Sequence, residues 1–261
     1  MAKVFGAVGE HAGRQSVEAF KRMFRTVLIV AIACAFAEGV VITALIMART
    51  TPRAVASGVL AIGIGMFLLW LSRYADRRVN KHEADRLIWR KGALGEYEVG
   101  AELERLSDDF FIFNNVNTEE FGNFDHIVAG PTGVFAIETK NWTGLIEADP
   151  TGELTRNGKP SSQPYVRRLE QKLMTLREQI LVLCRWDDLF VRGVMVFPKA
   201  SLAAPFGKTK NIHCLRIEKL RDYIDNTRSS TKLSRDRVAE LVRALNGVAG
   251  MDVEFKSLTA S

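Results

Sequence analysis

The chain is short of the residues that build metal clusters or disulfide frameworks. Its 261 residues hold three cysteines, Cys34, Cys184 and Cys214, too far apart for any zinc spacing. That excludes zinc ribbons and a disulfide scaffold, and it fits isolated buried thiols in a reducing compartment. The four histidines, His11, His82, His126 and His213, do not cluster, and no Ser-His-Asp order can be assigned. A nucleotide P-loop is also missing. Phe206-Gly207-Lys208-Thr209 ends like one, but Leu202 stands where its first glycine is needed. There is no internal repeat and no low-complexity tract, which excludes solenoids and long disordered linkers.

What the sequence does have is charge of both signs, a net +6, and two long apolar runs. The positive balance permits phosphate or anionic lipid as a partner without demonstrating either. Residues 26–48 and 54–72 each exceed or approach the twenty or so residues that cross a bilayer. The RTTPR link between them is short, so they are expected to form an antiparallel transmembrane hairpin, 26–72, with a soluble pair of core helices as the alternative. Glu38 is the only acid in the first run, where a lone carboxylate is costly and is expected to be paired or neutral, supporting helix association. Ser57, Gly58, Ala61, Gly63 and Gly65 supply small residues for close helix contact in the second.

Residues 1–25 mix bases with apolar residues and read as a membrane-surface helix or a frayed lead-in. They are too long before the apolar run for a usual signal peptide, and no cleavage site stands out. Lys21, Arg22 and Arg25 precede the hairpin, and Arg73, Arg77, Arg78 and Lys81 follow it. Only Arg49 and Arg53 lie between the two runs. This bias predicts that both termini, and the globular domain, are cytoplasmic, with Trp70 and Tyr74 at the interface. Residues 73–91 read as a charged helical stalk.

The chemistry concentrates in FDHIVAGPTGVFAIETKNW, residues 124–142. Two apolar strands of about six residues flank Gly130-Pro131-Thr132-Gly133. A register symmetric about that turn sets Ala129 opposite Val134 and Asp125 opposite Glu138, roughly 4.5–5.5 Å apart. Lys140, two residues on, shares their face. Both faces are apolar, with Ile127, Ala129, Val134 and Ala136 on one and Phe124, Val128, Phe135 and Ile137 on the other, so the hairpin should be covered on both sides. Two facing carboxylates repel unless a cation lies between them. Hard oxygen ligands suit Mg²⁺ or Mn²⁺, and a neighbouring lysine suits water activation against a phosphate. A structural Glu–Lys pair at a sheet edge is the plainer alternative. His126 alternates away from Asp125 and reads as a hydrogen-bonded core histidine.

Gly92-x-x-Gly95-Glu96, the DHIVAGPTGVFAIETKNW run and Gln163 ahead of a helix resemble the nuclease-related domain, NERD, over roughly residues 90–200. That family resembles the PD-(D/E)xK nuclease superfamily. The resemblance implies an α/β fold with a restriction-endonuclease-like core, a mixed sheet flanked by helices, here preceded by the two-helix transmembrane hairpin. It also implies catalytic positions at Glu96, Asp125, Glu138, Lys140 and Gln163, with Asp125 and Glu138 as ligands of Mg²⁺ or Mn²⁺. Phe124 stands where the superfamily's name has proline.

The domain is expected at 92–200 and completed by 201–261. A helix carries Glu96, strands span 110–116, 144–148, 153–155, 191–197 and 211–217, and a polar loop runs from Asn114 to Gly122. A turn is expected at Asn157-Gly158, a helix at 163–185 with a Leu169-Leu173-Leu176-Ile180-Leu183 stripe, and a last helix from Ser234 to Asn246, ending at Gly247. Three functions compete. The first is a membrane-tethered, metal-dependent nuclease acting on nucleic acid, DNA before RNA. The second is a catalytically inactive module that binds nucleic acid or protein at the membrane. The third is an assembly protein forming homo-oligomers through the hairpin in membrane lipid. Asp125, Glu138, Lys140 and Glu96 together favour the first.

Overall fold

The alternating apolar pattern of residues 111–137 builds the sheet that carries everything else. A computed structural model describes residues 1–47, 51–118, 122–203, 207–227 and 233–249. In chain order the elements are β1 (Lys3–Phe5), α1 (Glu10–Met47), α2 (Thr51–Leu103), β2 (Phe111–Thr118), β3 (Gly122–Gly130), β4 (Gly133–Thr139), β5 (Leu145–Ala148), β6 (Leu154–Arg156) and β7 (Lys159–Pro160). There follow α3 (Tyr165–Cys184), β8 (Val191–Phe197), β9 (Ser201–Leu202), β10 (Lys208–Thr209), β11 (Ile212–Arg216), α4 (Leu220–Asn226) and α5 (Arg235–Ala249). Two units separate: Met1–His11 with Lys91–Ser261, and Ala12–Arg90.

The first unit is a mixed sheet in the order β1-β2-β3-β4-β8-β11-β10, with a small second sheet, β7-β6-β5-β9. The β2–β3–β4 meander is antiparallel, and β4, β8 and β11 run parallel. One face packs Ile127, Ala129, Val134 and Ala136 against α3 and α5 through Leu169, Leu176, Ile180 and Leu241. The other packs Val128, Phe135 and Ile137 against Val99 and Leu103 of α2 and Leu220 and Ile224 of α4. A sheet apolar on both faces is thus flanked by helices, as the family resemblance implied. The hairpin register is as expected, with Ala129 opposite Val134 and His126 opposite Ile137.

Several details differ from the sequence reading. Lys3–Phe5 is a strand pairing parallel with β2, not part of a surface helix or a frayed lead-in; Phe5 stacks on Phe113 at 5.0 Å. Asn114 to Thr118 belongs to β2, which pairs through Thr118 with Gly122 of β3, so these residues are strand and not the expected polar loop; residues 119–121 lie outside the described set. Asn115 has φ 58°, a left-handed conformation that interrupts the alternation of β2. Beyond it Val116 and its partner Phe124 turn to the α3 side, so Phe124 leaves the face assigned to it. The α3 stripe ends on buried Cys184 while Leu183 is exposed, because four-residue steps from Leu176 and Ile180 lead to 184. α5 passes through Gly247 to Ala249, and α4 was not anticipated.

In the second unit, α1 and the first part of α2 carry the apolar runs. Both are long and apolar enough to cross a membrane, with mean hydropathy 2.4 and 2.1 in their most apolar windows, none of it buried. A core-helix pair would bury such residues; here Ile32, Phe36, Ile62 and Leu69 stand exposed. Ser57 Oγ donates to the Ala44 carbonyl at 3.2 Å, so the helices meet near their connection. Arg49 of the RTTPR link lies outside the described residues.

Candidate active site

The β3–β4 ladder makes its last backbone pair at His126 and Ile137. One step outward the opposed residues are Asp125 and Glu138, and the Asp125 carboxylate takes over from the ladder. Its Oδ2 accepts a hydrogen bond from the Thr139 backbone N at 2.6 Å. Asn123 Nδ2 stands 3.5 Å from Asp125 Oδ1. Asp125 is thereby fixed at the hairpin mouth by a hydrogen bond from the strand that carries Glu138.

Glu138 is held by two ammonium groups. Lys140 Nζ donates to Oε1 at 2.8 Å and Lys172 Nζ to Oε2 at 3.0 Å. Burial alone would raise the Glu138 carboxyl, but Lys140 and Lys172 outweigh it and hold it at about 2. Burial alone would lower Lys140; Glu138 and Asp125 reverse that and hold it above its ordinary value. Lys140 also lies 4.9 Å from the centre of the Tyr165 ring. Lys172 donates to the Asn123 carbonyl and sits 4.3 Å over the Phe124 ring. The face switch at Asn115 thus places Phe124 beneath a site lysine.

Glu96 arrives from α2. Gly95 is what lets that helix approach, because a Cβ there would stand 2.6 Å from the Asn141 Cβ. Asn141 Nδ2 ties the same helix to the end of β4 by donating to the Lys91 carbonyl at 2.7 Å. Burial, then Glu138, raise the Glu96 carboxyl to about 6, with Lys140 opposing. Asp125 keeps a little surface exposure but is densely enclosed; burial, then Glu138 and Glu96, push its carboxyl well up. Beneath them His126 is fully buried and shares a 2.7 Å hydrogen bond between Nδ1 and Asn114 Oδ1. Burial lowers its imidazole to about 4, against weaker opposing pulls from the Glu96 carbonyl and Glu138. Its Nε2 meets no partner in hydrogen-bonding geometry among the described residues. It is a neutral core histidine, as its alternation away from Asp125 suggests.

Residues 91–198 match the family model of the nuclease-related domain, NERD. The match covers under half of the chain, and it agrees with the resemblance carried by the Gly95-Glu96 and Asp125-to-Trp142 motifs. No curated protein and no solved structure matches the chain. All five sequence-expected site residues lie in the matched segment. Asp125, Glu138 and Lys140 converge at the hairpin mouth, and Glu96 joins them electrostatically from α2. Gln163 is exposed just ahead of α3, where its Oε1 accepts from Arg168.

A cleft of about 470 Å³ opens at the Glu138 and Lys140 side of this cluster, lined by these two with Gln163, Tyr165, Arg168 and Lys172 among others; Asp125 and Glu96 are not in its lining. Three cations against one carboxylate make its lining suited to a phosphate backbone. Arg168 and Lys172 were not singled out from the sequence. Their i, i+4 spacing, following Gln163, was the available signal.

Three mutually repelling carboxylates are a hard-oxygen set of the kind divalent cations satisfy. Among the described residues no three His, Cys, Asp or Glu side chains are grouped closely enough to cage a metal by themselves. Mg²⁺ does not need a cage, since one or two carboxylates with water and substrate phosphate complete its shell. Asp125 and Glu138 fit that role, with the cation competing against Lys140 and Lys172 for Glu138.

Proposed function

We propose that this protein is a membrane-anchored, metal-dependent nuclease that hydrolyses phosphodiester bonds of nucleic acid, with DNA the first substrate to test. The carrying observation is the meeting of Asp125, Glu138, Lys140 and Lys172 at the mouth of one hairpin beneath a basic cleft. Asp125 and Glu138 would hold Mg²⁺ or Mn²⁺, and a bound ion supplies Lewis-acid polarisation of a phosphoryl oxygen and a more acidic water.

The chain's own groups divide the remaining work. Lys140 stays protonated, so it acts as a donor that orients the attacking water and balances charge gathering on the phosphate. Glu96 titrates near 6 and is ionised at neutral pH, which suits it to accept the proton of that water. Water adds to phosphorus as Glu96 takes its proton, the bond to one sugar oxygen breaks, and that oxygen takes a proton from solvent water, leaving a phosphomonoester and a hydroxyl. Arg168 and Lys172 line the cleft where the strand's other phosphates would run, and Gln163 orients Arg168.

The membrane reading rests on the two exposed apolar helices and their basic flanks. Phe67, Trp70 and Tyr74 stack in series at 5.9 and 5.8 Å, with Arg78 5.3 Å over the Tyr74 ring. That ladder suits the cytoplasmic interface, amphipathic rings at headgroup depth followed by bases. Glu38 is exposed on α1 among apolar residues, a position that a second copy of the hairpin would shield.

The test is to incubate the full chain in detergent micelles with end-labelled DNA and RNA, with Mg²⁺, Mn²⁺ or EDTA. The nuclease reading expects cleavage with either metal and none with EDTA. Binding without cleavage under every condition would make the inactive binding module the better reading.

A further inference from the structure

Beside the basic cleft lies a second pocket of about 430 Å³, which shares Tyr165 with it. It contains two aromatic rings, Trp142 and Tyr165, two cations, Arg156 and Lys159, and no carboxylate among its lining residues. We propose that this pocket is a subsite for one unpaired nucleotide of the substrate strand, next to the phosphate that is cleaved. The proposal rests on the nuclease reading for its substrate class but not for its construction.

The pocket is built from fixed parts. Trp142 is half-buried, edge-on to Tyr165 at 5.2 Å and 6.0 Å from the Phe197 ring of the core. Arg156 is held by Nε to the Thr143 carbonyl at 2.7 Å and by Nη2 to Thr143 Oγ1 at 3.1 Å. Its guanidinium has five donors, so others remain for an anion. Asn157 and Gly158 form the tight turn between β6 and β7, both with positive φ, 51° and 74°. Asn157 Oδ1 is fixed by the Leu145 backbone N at 2.8 Å. The start of α3 supplies no competing anion site, because Glu153 already takes the Val166 and Arg167 backbone N–H groups at 3.1 and 2.9 Å. Anion recognition here falls to Arg156 and Lys159.

Aromatic surface with flanking cations is the chemistry that holds bases and phosphates of a single strand. A base inside a duplex has both faces covered by its stacked neighbours, so the base that lays a face on Trp142 is one freed from the stack, as in a single strand. Tyr165 is the shared wall, and Lys140 lies 4.9 Å from that ring's centre. A base seated here would leave its own phosphate near Lys140 and Glu138.

The experiment measures anisotropy of a labelled single-stranded oligothymidylate and of a blunt duplex, with the full chain in detergent micelles and EDTA present. Trp142→Leu should weaken single-strand binding about tenfold or more, while Trp142→Phe keeps most of it. Lys159→Ala, at an exposed position, should weaken it a few-fold and lower the salt slope by about one. Duplex binding should change little. Unchanged single-strand affinity in Trp142→Phe, Trp142→Leu and Lys159→Ala overturns the subsite, even where the protein cleaves normally. Binding that shows these losses without any metal-dependent cleavage ends the nuclease reading and leaves the subsite standing. A chain that binds no oligonucleotide ends both.

Discussion

At the scale of single residues, the site depends on how charge is shared between carboxylates and ammoniums. Lys140 donates to Glu138 and sits in the Asp125 field, but an ammonium is not a metal ligand. Lys140→Ala should therefore slow cleavage by about 10²- to 10³-fold while manganese affinity, read by calorimetry, stays within a few-fold of the unmodified protein. Equal loss of both would make Lys140 a structural support for Glu138. Glu96 tests the sign of the electrostatics. Its folded value of about 6 lies above the ordinary 4.5, so between those values the unfolded chain loses its proton first and stability falls as pH rises. Glu96→Gln removes that penalty, so it should raise the thermal midpoint more at pH 7 than at pH 4.5. An equal effect at both would show that Glu96 is not strained by its neighbours. Gly95 is the geometric counterpart. Gly95→Ala drives a methyl into Asn141 and should cost about 1–3 kcal/mol, with cleavage falling further than stability because Glu96 is displaced. Cleavage and stability both unchanged would show that the close approach of α2 to Asn141 does not depend on glycine at this position.

At the scale of elements, the β3–β4 hairpin was legible because a period-two pattern around a Gly-Pro-Thr-Gly turn admits one register that buries both faces. That register carried Asp125, Glu138 and Lys140 with it. What stayed hidden has physical causes. The left-handed Asn115 breaks the alternation of β2, and nothing in the local pattern announces that Phe124 will turn toward α3. Lys172 reaches Glu138 across 34 positions of chain; helical periodicity gives its face on α3 but not which strand end that face meets. β1 is three residues long, too short for periodicity to register, and its partner lies 108 positions away. The Trp142–Tyr165 contact likewise depends on how the small sheet folds back, which spacing alone does not give.

At the scale of the whole molecule, the chain divides into two units, which the proposed function reads as a catalytic body and a membrane anchor. The anchor has a direction that can be measured. In a chain with its three native cysteines changed to serine, a cysteine at Thr51, between the apolar runs, should react with an impermeant thiol reagent on intact cells. One at the exposed Asp108 should react only after permeabilisation. The reverse pattern would invert the topology, and labelling of both would argue against any span. The catalytic body is tested most directly by one rate comparison: Mg²⁺-dependent cleavage of labelled DNA by the unmodified full chain, Asp125→Ala and Glu138→Ala. The account predicts cleavage by the first and a loss of at least about 10²-fold in each variant, with weakened metal binding. Cleavage by Glu138→Ala at the unmodified rate, or no cleavage by the unmodified protein with either Mg²⁺ or Mn²⁺, would contradict it.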